Sequence, residues 1–167
     1  MKITNDLKEP IYLPIQSITD DRGILVPFSD HIDPSVMRRA YYVQNYGRGI
    51  IRGLHYHLEE MKMFIIGCGA AKFNTLKLPL EIAKRNENEE IKDYFEKNPD
   101  SLKSWVLSSR HHALLVVPPL YANGWVGLED NTTLFSLSNL VFEKAKNDDI
   151  RIDPYVIGND KWEVIGR

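Results

Sequence analysis

Two histidines placed two residues apart, His55 and His57, are the side chains of this sequence best suited to proton transfer or ligand binding. They end a stretch whose composition is typical of a β-strand, and residues two apart in a strand share a face. The spacing therefore predicts that both histidines face the same way as Gly53, with Arg52 and Leu54 on the opposite face. Two imidazoles on an inner face are costly without partners, so they are either hydrogen-bonded structural residues or part of a site.

The elements that must position these histidines are short apolar runs separated by turn residues, which indicate many β-strands. Runs of this kind occupy 11–15, 24–26, 40–44, 50–57, 63–66, 71–78, 104–107, 114–117, 124–128 and 132–137. Residues 79–100 instead carry mixed charges and few apolar side chains, which predicts a helical or loop insertion. Its position between strands leaves room for the expectation that it borders the pocket mouth. We therefore predict an all-β fold, a double-stranded β-helix or jelly-roll barrel with a short helical insertion, as a single domain over 1–167.

The composition argues against several classes of protein. The formal net charge of -2 argues against nucleic acid as a partner, because phosphate binding needs an excess of Lys and Arg. No apolar run approaches the length of a membrane span, and the first residues are too polar for a signal peptide, so we expect a cytoplasmic protein. The single cysteine, Cys68, cannot form an internal disulfide and is expected to be a buried small apolar residue.

Further segments extend the pattern around the histidines. The set comprises Asp21-Arg22-Gly23, Arg52-Gly53-Leu54-His55-Tyr56, Lys62, Pro118-Pro119, Ala122-Asn123-Gly124-Trp125 and Asp153-Pro154. In this order, and outside residues 79–100, the set resembles dTDP-4-dehydrorhamnose 3,5-epimerase. The resemblance implies a cupin barrel without a metal or other cofactor, usually a homodimer. Such enzymes act on a nucleotide-diphosphate 4-keto-sugar in deoxysugar and surface-polysaccharide synthesis.

The resemblance also implies roles for individual side chains. Removing a proton beside a ketone requires a base, together with a cation or hydrogen-bond donor that stabilises the enolate. By resemblance His55 is the base, Asp153 orients His55 and supports its charged form, and Lys62 stabilises the enolate. Arg52 is expected to bind the diphosphate, because a planar guanidinium suits phosphate, and Arg22 to add a second contact.

Two positions depart from the epimerase pattern. The tyrosine that acts as the acid of the epimerases aligns with Ser136, and a serine hydroxyl is a much weaker acid than a phenol. Tyr41, Tyr42 and Tyr121 are alternative proton donors, among which the sequence does not choose. Asn123 replaces a histidine of the family, and we expect both Asn123 and Ser136 to contact the substrate.

The histidine segment also resembles a second group, the nucleotide-sugar 3,4-ketoisomerases. These related metal-free cupins carry Arg-Gly-X-His-X-His, which residues 52–57 match. Their two histidines move protons on one face of the sugar through an enediol, so that no tyrosine on the opposite face is needed. The resemblance makes His57 a second acid or base and leaves 3,4-ketoisomerisation as the alternative activity.

A metal ion is a further hypothesis, because His-X-His on a strand can offer two imidazoles to one ion. Glu59 or Glu60 would then supply a carboxylate. Asn123 stands where a metal-binding cupin has its third histidine, and an amide is a poor ligand for zinc or iron. We therefore predict no metal and no cofactor, and keep a metal-dependent cupin as an alternative.

Two expectations concern binding. A cupin that binds a nucleotide-diphosphate sugar without converting it is another alternative, since fold does not fix function. For the expected homodimer, the short apolar segment Ile11–Ile15 is predicted to add a strand to the sheet of the partner.

Overall fold

The computed structural model describes residues 2–164, and most of their regular structure is antiparallel β-sheet. The first five-stranded sheet contains, in spatial order, β1 (Ile11–Pro14), β9 (Ala113–Val117), β6 (Lys62–Cys68), β11 (Thr133–Ser138) and β4 (Arg39–Gln44). The second contains β12 (Ile150–Arg151), β5 (Ile51–Tyr56), β10 (Tyr121–Gly127), β7 (Ala70–Lys77) and β8 (Leu102–Ser108). A hairpin of β2 (Ile18–Asp20) and β3 (Gly23–Leu25) forms a small sheet of its own. This arrangement confirms the predicted all-β jelly roll.

The helices of the described residues are short. They are α1 (Leu80–Arg85), α2 (Asn88–Lys97) and α3 (Phe142–Ala145), with 3₁₀ turns at Pro34–Val36, Pro99–Ser101, Pro154–Ile157 and Asn159–Trp162. Helices α1 and α2 occupy the insertion predicted at 79–100. Across residues 2–164, no helix combines the length and the apolar character that spanning a bilayer requires.

Apolar side chains fill the space between the two sheets and cover their outer faces. Phe64 from the first sheet packs with Phe73 and Trp125 from the second in the inner cluster. On the outer face of the first sheet, Met63 lies in a separate cluster with Ile3 of the N-terminal segment. Alternation along β6 thus divides its side chains between an inner and an outer core, as period two requires.

The insertion packs against the outer face of β5, the strand that carries His55. Leu54 and Tyr56 of β5 belong to an outer cluster with residues of α1 and α2. The hydroxyl of Tyr56 donates to the carbonyl of Ala83 in α1 at 2.6 Å. The expectation that the insertion borders the pocket mouth is wrong, because the described residues that line the pocket come from other elements.

The structure bears on two further expectations. β1 pairs with β9 of its own chain, where Ile11 lies opposite Val116, and it is the edge strand of the first sheet. Its other edge pairs with no strand of the described residues, so the addition of Ile11–Ile15 to a partner's sheet stays a prediction. Cys68 is exposed rather than buried, because it ends β6 where the chain turns at Gly69 into β7. An apolar run therefore predicted the strand correctly but not the exposure of its last residue.

A bulge in β5 changes the face that Arg52 occupies. Asn123 of β10 lies opposite His55, and the next aligned pair is Trp125 opposite Arg52. Two residues of β5 therefore oppose the single residue Gly124, and an extra residue shifts the alternation by one. Arg52 consequently reaches the same inner pocket as His55, and the prediction of opposite faces is wrong.

Gly53 permits this bulge, and replacing it is expected to destabilise the fold. Its φ of +118° disfavours any side chain, and a Cβ would lie 2.6 Å from the Cα of Gly124. We expect Gly53→Ala to lower the free energy of unfolding, measured in urea, by about 3 kcal/mol. Gly49→Ala is the matched control, because Gly49 also has a positive φ (+80°) but open space around it. The control should cost about 1 kcal/mol, and equal losses would contradict the close approach.

Candidate active site

A pocket lies between the two sheets, with walls from β4, β6 and β11 on one side and from β5, β10 and β12 on the other. Its volume is about 420 Å³, within the range of small-molecule sites. A second cavity of about 430 Å³ shares lining residues with it, namely Tyr41, His55 and Arg151. The second cavity adds Glu60, Lys62 and Asp149. Imidazole, carboxylate, ammonium and phenol groups therefore meet around one space.

His55 lies in the lining of both cavities. The centroid of its ring is 5.6 Å from that of His57. Burial, and after it the charge of His57, lowers the pKa of His55 to about 4. The imidazole is therefore neutral at pH 7, which is the form that accepts a proton.

This low pKa predicts how activity depends on pH. A free histidine loses its basic form as the pH falls through about 6.5, whereas His55 keeps that form until the pH approaches about 4. With His55 as the base, kcat/KM should stay level from neutral pH down to about 5 and fall only below it. A pH–rate profile with its acid limb centred near 6.5 would contradict this placement of His55.

His57 is held in one tautomer. Its Nδ1 donates to the carbonyl of Asp148 at 2.8 Å and lies 3.2 Å from Oε2 of Glu60. The lone pair is therefore on Nε2, which is buried and has no hydrogen-bond partner among the described residues. Burial, and after it the charge of Lys62, lowers the pKa of His57. His57 is not among the described residues that line either cavity, but its ring lies beside that of His55, which lines both. A ligand hydroxyl that reached Nε2 would satisfy it.

A buried cluster of charges supports His57 and places an ammonium beside the pocket. Glu60 is 1% exposed, and its Oε1 lies 2.9 Å from Nζ of Lys62 and accepts from the hydroxyl of Ser138. Lys62 Nζ also donates to the hydroxyl of Tyr41 at 3.1 Å. Because buried charges are costly unless paired, this network fixes the charged groups of Glu60 and Lys62 in place.

The loop after β5 is anchored by a residue from the C-terminal part of the chain. The carboxylate of Asp148 accepts from the backbone N–H groups of Leu58, Glu59 and Glu60, at 2.8, 2.9 and 2.7 Å. Hydrogen bonds to a charged acceptor are stronger than neutral ones. The anchored loop is what brings Glu60 back to His57 only three residues later.

Of the two aspartates Asp149 and Asp153, Asp149 is the one beside the histidines. One oxygen of Asp149 and one ring nitrogen from each of His55 and His57 all lie within 4.8 Å of one another. Asp153 instead caps the turn Pro154–Ile157, where its carboxylate accepts from the N–H of Tyr155 at 2.9 Å. The prediction that Asp153 orients His55 does not match this geometry, because an aspartate at an N-cap directs its oxygen to the turn backbone.

The two arginines expected at the diphosphate lie in different places. Arg52 lines the pocket, and its Nε and Nη2 donate to Oδ1 of Asn45 at 2.6 Å and to the carbonyl of Gln44 at 3.3 Å. These bonds orient the guanidinium and leave Nη1 for a ligand. Arg22 lies on the β2–β3 hairpin, with its side chain 85% exposed and paired with Asp20 at 2.5 Å. The structure therefore does not bring Arg22 to the pocket of its own chain, because the hairpin forms a separate sheet.

Asn123 and Ser136 both line the pocket, as expected for substrate contacts. The amide nitrogen of Asn123 donates to the carbonyls of His55 and Tyr121, both at 3.2 Å, so only its Oδ1 remains for a ligand. The hydroxyl of Ser136 is buried without a hydrogen-bond partner among the described residues. A sugar hydroxyl or carbonyl beside Ser136 would satisfy it.

Among the described residues, His55, His57 and Asp149 could together hold a metal ion. Two cations oppose that use: the charge of Lys62 lowers the pKa of both imidazoles, and Arg151 donates to Asp149 at 3.1 Å. Burial raises the pKa of Asp149, but the charge of His55 and the bond from Arg151 outweigh it and leave that pKa lowered. The positive charges of Lys62 and Arg151 would therefore repel a divalent ion at this position.

Sequence reasoning missed two aspartates and left one tyrosine unplaced. Asp148 and Asp149 are adjacent acids before a short strand, a pattern that the sequence does not separate from an ordinary solvated surface. Tyr41 is located only by strand register, because it lies directly opposite Ser136 in the β4–β11 pair. Each of these three residues contacts a partner that is far away from it in the sequence.

Comparisons with known proteins give no match to any family profile and none to a curated protein. Solved structures do match. The sugar 3,4-ketoisomerase QdtA from Thermoanaerobacterium thermosaccharolyticum, in complex with TDP, is 20% identical, with a TM-score of 0.63 over 90% of this chain and 93% of that chain. The rmlC epimerase of Mycobacterium tuberculosis is 15% identical, with a TM-score of 0.68 over 92% of this chain and 75% of that chain. The dTDP-4-dehydrorhamnose 3,5-epimerase of Bacillus anthracis, with TDP and PPi bound, is 17% identical, with a TM-score of 0.67 over 91% and 83%. At these identities the likeness shows that the chain has the cupin fold.

Proposed function

We propose that this protein is a nucleotide-diphosphate 4-keto-sugar epimerase, which removes and returns a proton at a carbon beside the ketone. The observation that carries the proposal is a neutral His55 in an inter-sheet pocket that Arg52 also lines. A neutral imidazole suits proton abstraction, and a guanidinium suits a diphosphate. The shared fold with an epimerase and a ketoisomerase that bind TDP supports the same class of ligand.

In the proposed reaction His55 takes the proton beside the ketone, and the electron pair moves onto the ketone oxygen as an enolate. The positive charges of Lys62 and Arg151, which lower the pKa of His55, also stabilise the negative charge of the enolate. The same cations therefore make His55 a weaker base and stabilise the enolate that forms when His55 takes the proton. The negative charge of Asp149 raises the pKa of His55 and so supports the imidazolium that forms.

A second candidate, 3,4-ketoisomerisation, is favoured by one specific observation. Nε2 of His57 is buried without a partner among the described residues, and the ring lies 5.6 Å from that of His55. Two neutral imidazoles side by side can take a proton from one carbon and return it to its neighbour on the same face of the sugar. That shuttle moves the ketone and leaves the ring configuration of other carbons unchanged.

Product NMR distinguishes these activities. We would incubate the purified protein with TDP-4-keto-6-deoxyglucose and follow the ring protons. Inversion at C3 or C5 supports the epimerase, and a ketone moved to C3 supports the ketoisomerase. A third outcome is that neither product forms from the 4-keto-6-deoxy sugars of TDP, UDP, GDP and CDP, although calorimetry shows that the nucleotide binds. That result would contradict catalysis and support a binding protein.

We further propose a cytoplasmic homodimer in deoxysugar and surface-polysaccharide synthesis, with each chain forming one domain. The β2–β3 hairpin supports an interface, because Ile18, Ile24 and Leu25 on it are each more than half exposed. In a dimer this hairpin would carry Arg22 toward the partner, which would restore the expected second phosphate contact. Sedimentation at micromolar concentration tests the assembly, and a monomer alone would contradict it.

A further inference from the structure

Inversion requires a proton donor on the side of the pocket opposite the base, and Ser136 is too weak an acid for that role. The β4–β11 register places Tyr41 directly opposite Ser136. Directly opposed residues of an antiparallel pair share a face of the sheet. Tyr41 therefore projects into the pocket from the first sheet, whereas His55 projects from the second.

We propose that Tyr41 is the catalytic acid of this site, reaching from β4 the place that a tyrosine on β11 at position 136 would occupy. The inference rests on the proposed epimerase function and names the residue that returns the proton. Among the tyrosines left open by the sequence, Tyr42 lies on the outer face, 67% exposed, and the Tyr121 hydroxyl is bound to Glu9 at 2.8 Å. Of these three, Tyr41 is the one that lines both cavities.

The contacts of Tyr41 suit a proton donor. An ammonium can only donate, so in the 3.1 Å bond with Lys62 the tyrosine oxygen is the acceptor and its own hydrogen is left for a ligand. The guanidinium of Arg39 lies 4.5 Å from the ring centroid, and Nζ of Lys62 lies 5.5 Å from it. Both cations therefore lie beside the ring from which the proton would leave. Glu60 holds Lys62 in this position.

The step balances without any other reactant. His55 breaks the C–H bond on one face and becomes an imidazolium, while the electron pair forms the enolate. The enolate carbon then takes the hydroxyl proton of Tyr41 from the other face, which restores the ketone with inverted configuration. The tyrosinate and the imidazolium return to their neutral forms by exchanging one proton with water. The hydroxyl of Ser136, which has no hydrogen-bond partner within residues 2–164, lies beside Tyr41 and is placed to hold a substrate oxygen during the transfer.

Tyr41→Phe, with Tyr42→Phe as the matched control on the same strand, tests this role. In deuterated water, Tyr41→Phe should form inverted product at least about 100-fold more slowly than wild type. It should still exchange the substrate proton for deuterium at a rate within about threefold, because His55 can return a deuteron to the original face. Tyr42→Phe should match wild type in both measurements, since its ring lies outside the pocket.

Three results would overturn the role of Tyr41. The first is inverted product from Tyr41→Phe at nearly the wild-type rate. The second is a parallel loss of exchange and product, which a structural defect would cause. The third is a wild-type protein that moves the ketone, and does so at the same rate as Tyr41→Phe, because that reaction would not use Tyr41 as an acid. A wild-type protein with neither exchange nor product contradicts the proposed function instead, so the two failures are distinguishable.

Discussion

Replacing His55 by asparagine is expected to reduce kcat on a nucleotide 4-keto-sugar by about 1,000-fold or more. An amide of similar size can fill the position of the imidazole, but it cannot accept the proton from the carbon beside the ketone. Binding of TDP should stay within about threefold of wild type, because in the proposed function Arg52, and not His55, binds the phosphates. Rates by product NMR and affinities by calorimetry measure the two effects separately.

His57→Asn is the matched control for His55→Asn, since both histidines are carried by the same segment of chain. If the protein is an epimerase, losing His57 should cost less than about tenfold, whereas a ketoisomerase should lose activity in both variants. Urea unfolding of each variant checks that the fold is retained. A His55→Asn protein that keeps a tenth or more of wild-type kcat would contradict the role of His55.

The second large effect is expected at Asp149. Its negative charge raises the pKa of His55, so Asp149→Asn should lower that pKa and move the acid limb of kcat/KM further below about 4. Loss of support for the imidazolium should also lower kcat by about 100-fold. A pH–rate profile of the variant measures both changes, and a purely structural defect would not shift the limb.

Asp153→Asn is the control that separates the sequence-based assignment from the geometry. Asparagine is as good an N-cap as aspartate, so the turn at Pro154–Ile157 should be kept and activity should change by less than about twofold. A larger loss of activity in Asp153→Asn than in Asp149→Asn would show that the family position, and not the observed contact, orients His55.

Local patterns predicted the strands, because each strand carries its own alternation and turn residues. The run at 50–57 became β5 and the charged stretch at 79–100 became α1 and α2. The same rule misplaced Arg52, since the bulge at Gly53 depends on the close approach of Gly124 from another strand. Alternation within one strand does not contain that information.

The candidate site was predicted where a single segment supplies the chemistry and missed where distant segments meet. His55 and His57 are two residues apart in one short segment of chain, so the sequence indicated them directly. Asp149 reaches them from the C-terminal part, where little regular structure fixes a register, and resemblance selected Asp153 four residues away. Tyr41 depends on the β4–β11 pairing across 95 residues of chain, in which Tyr41 meets Ser136.

Deuterium uptake by the sugar tests the central claim most directly. We would incubate wild-type protein and His55→Asn with TDP-4-keto-6-deoxyglucose in deuterated water and follow the signals of the C–H groups beside the ketone, with binding of the sugar nucleotide confirmed by calorimetry. The wild-type protein should replace at least one of these hydrogens with deuterium, and His55→Asn should not do so above the rate without protein. A wild-type protein that binds the sugar nucleotide and leaves every one of these hydrogens in place would contradict the account.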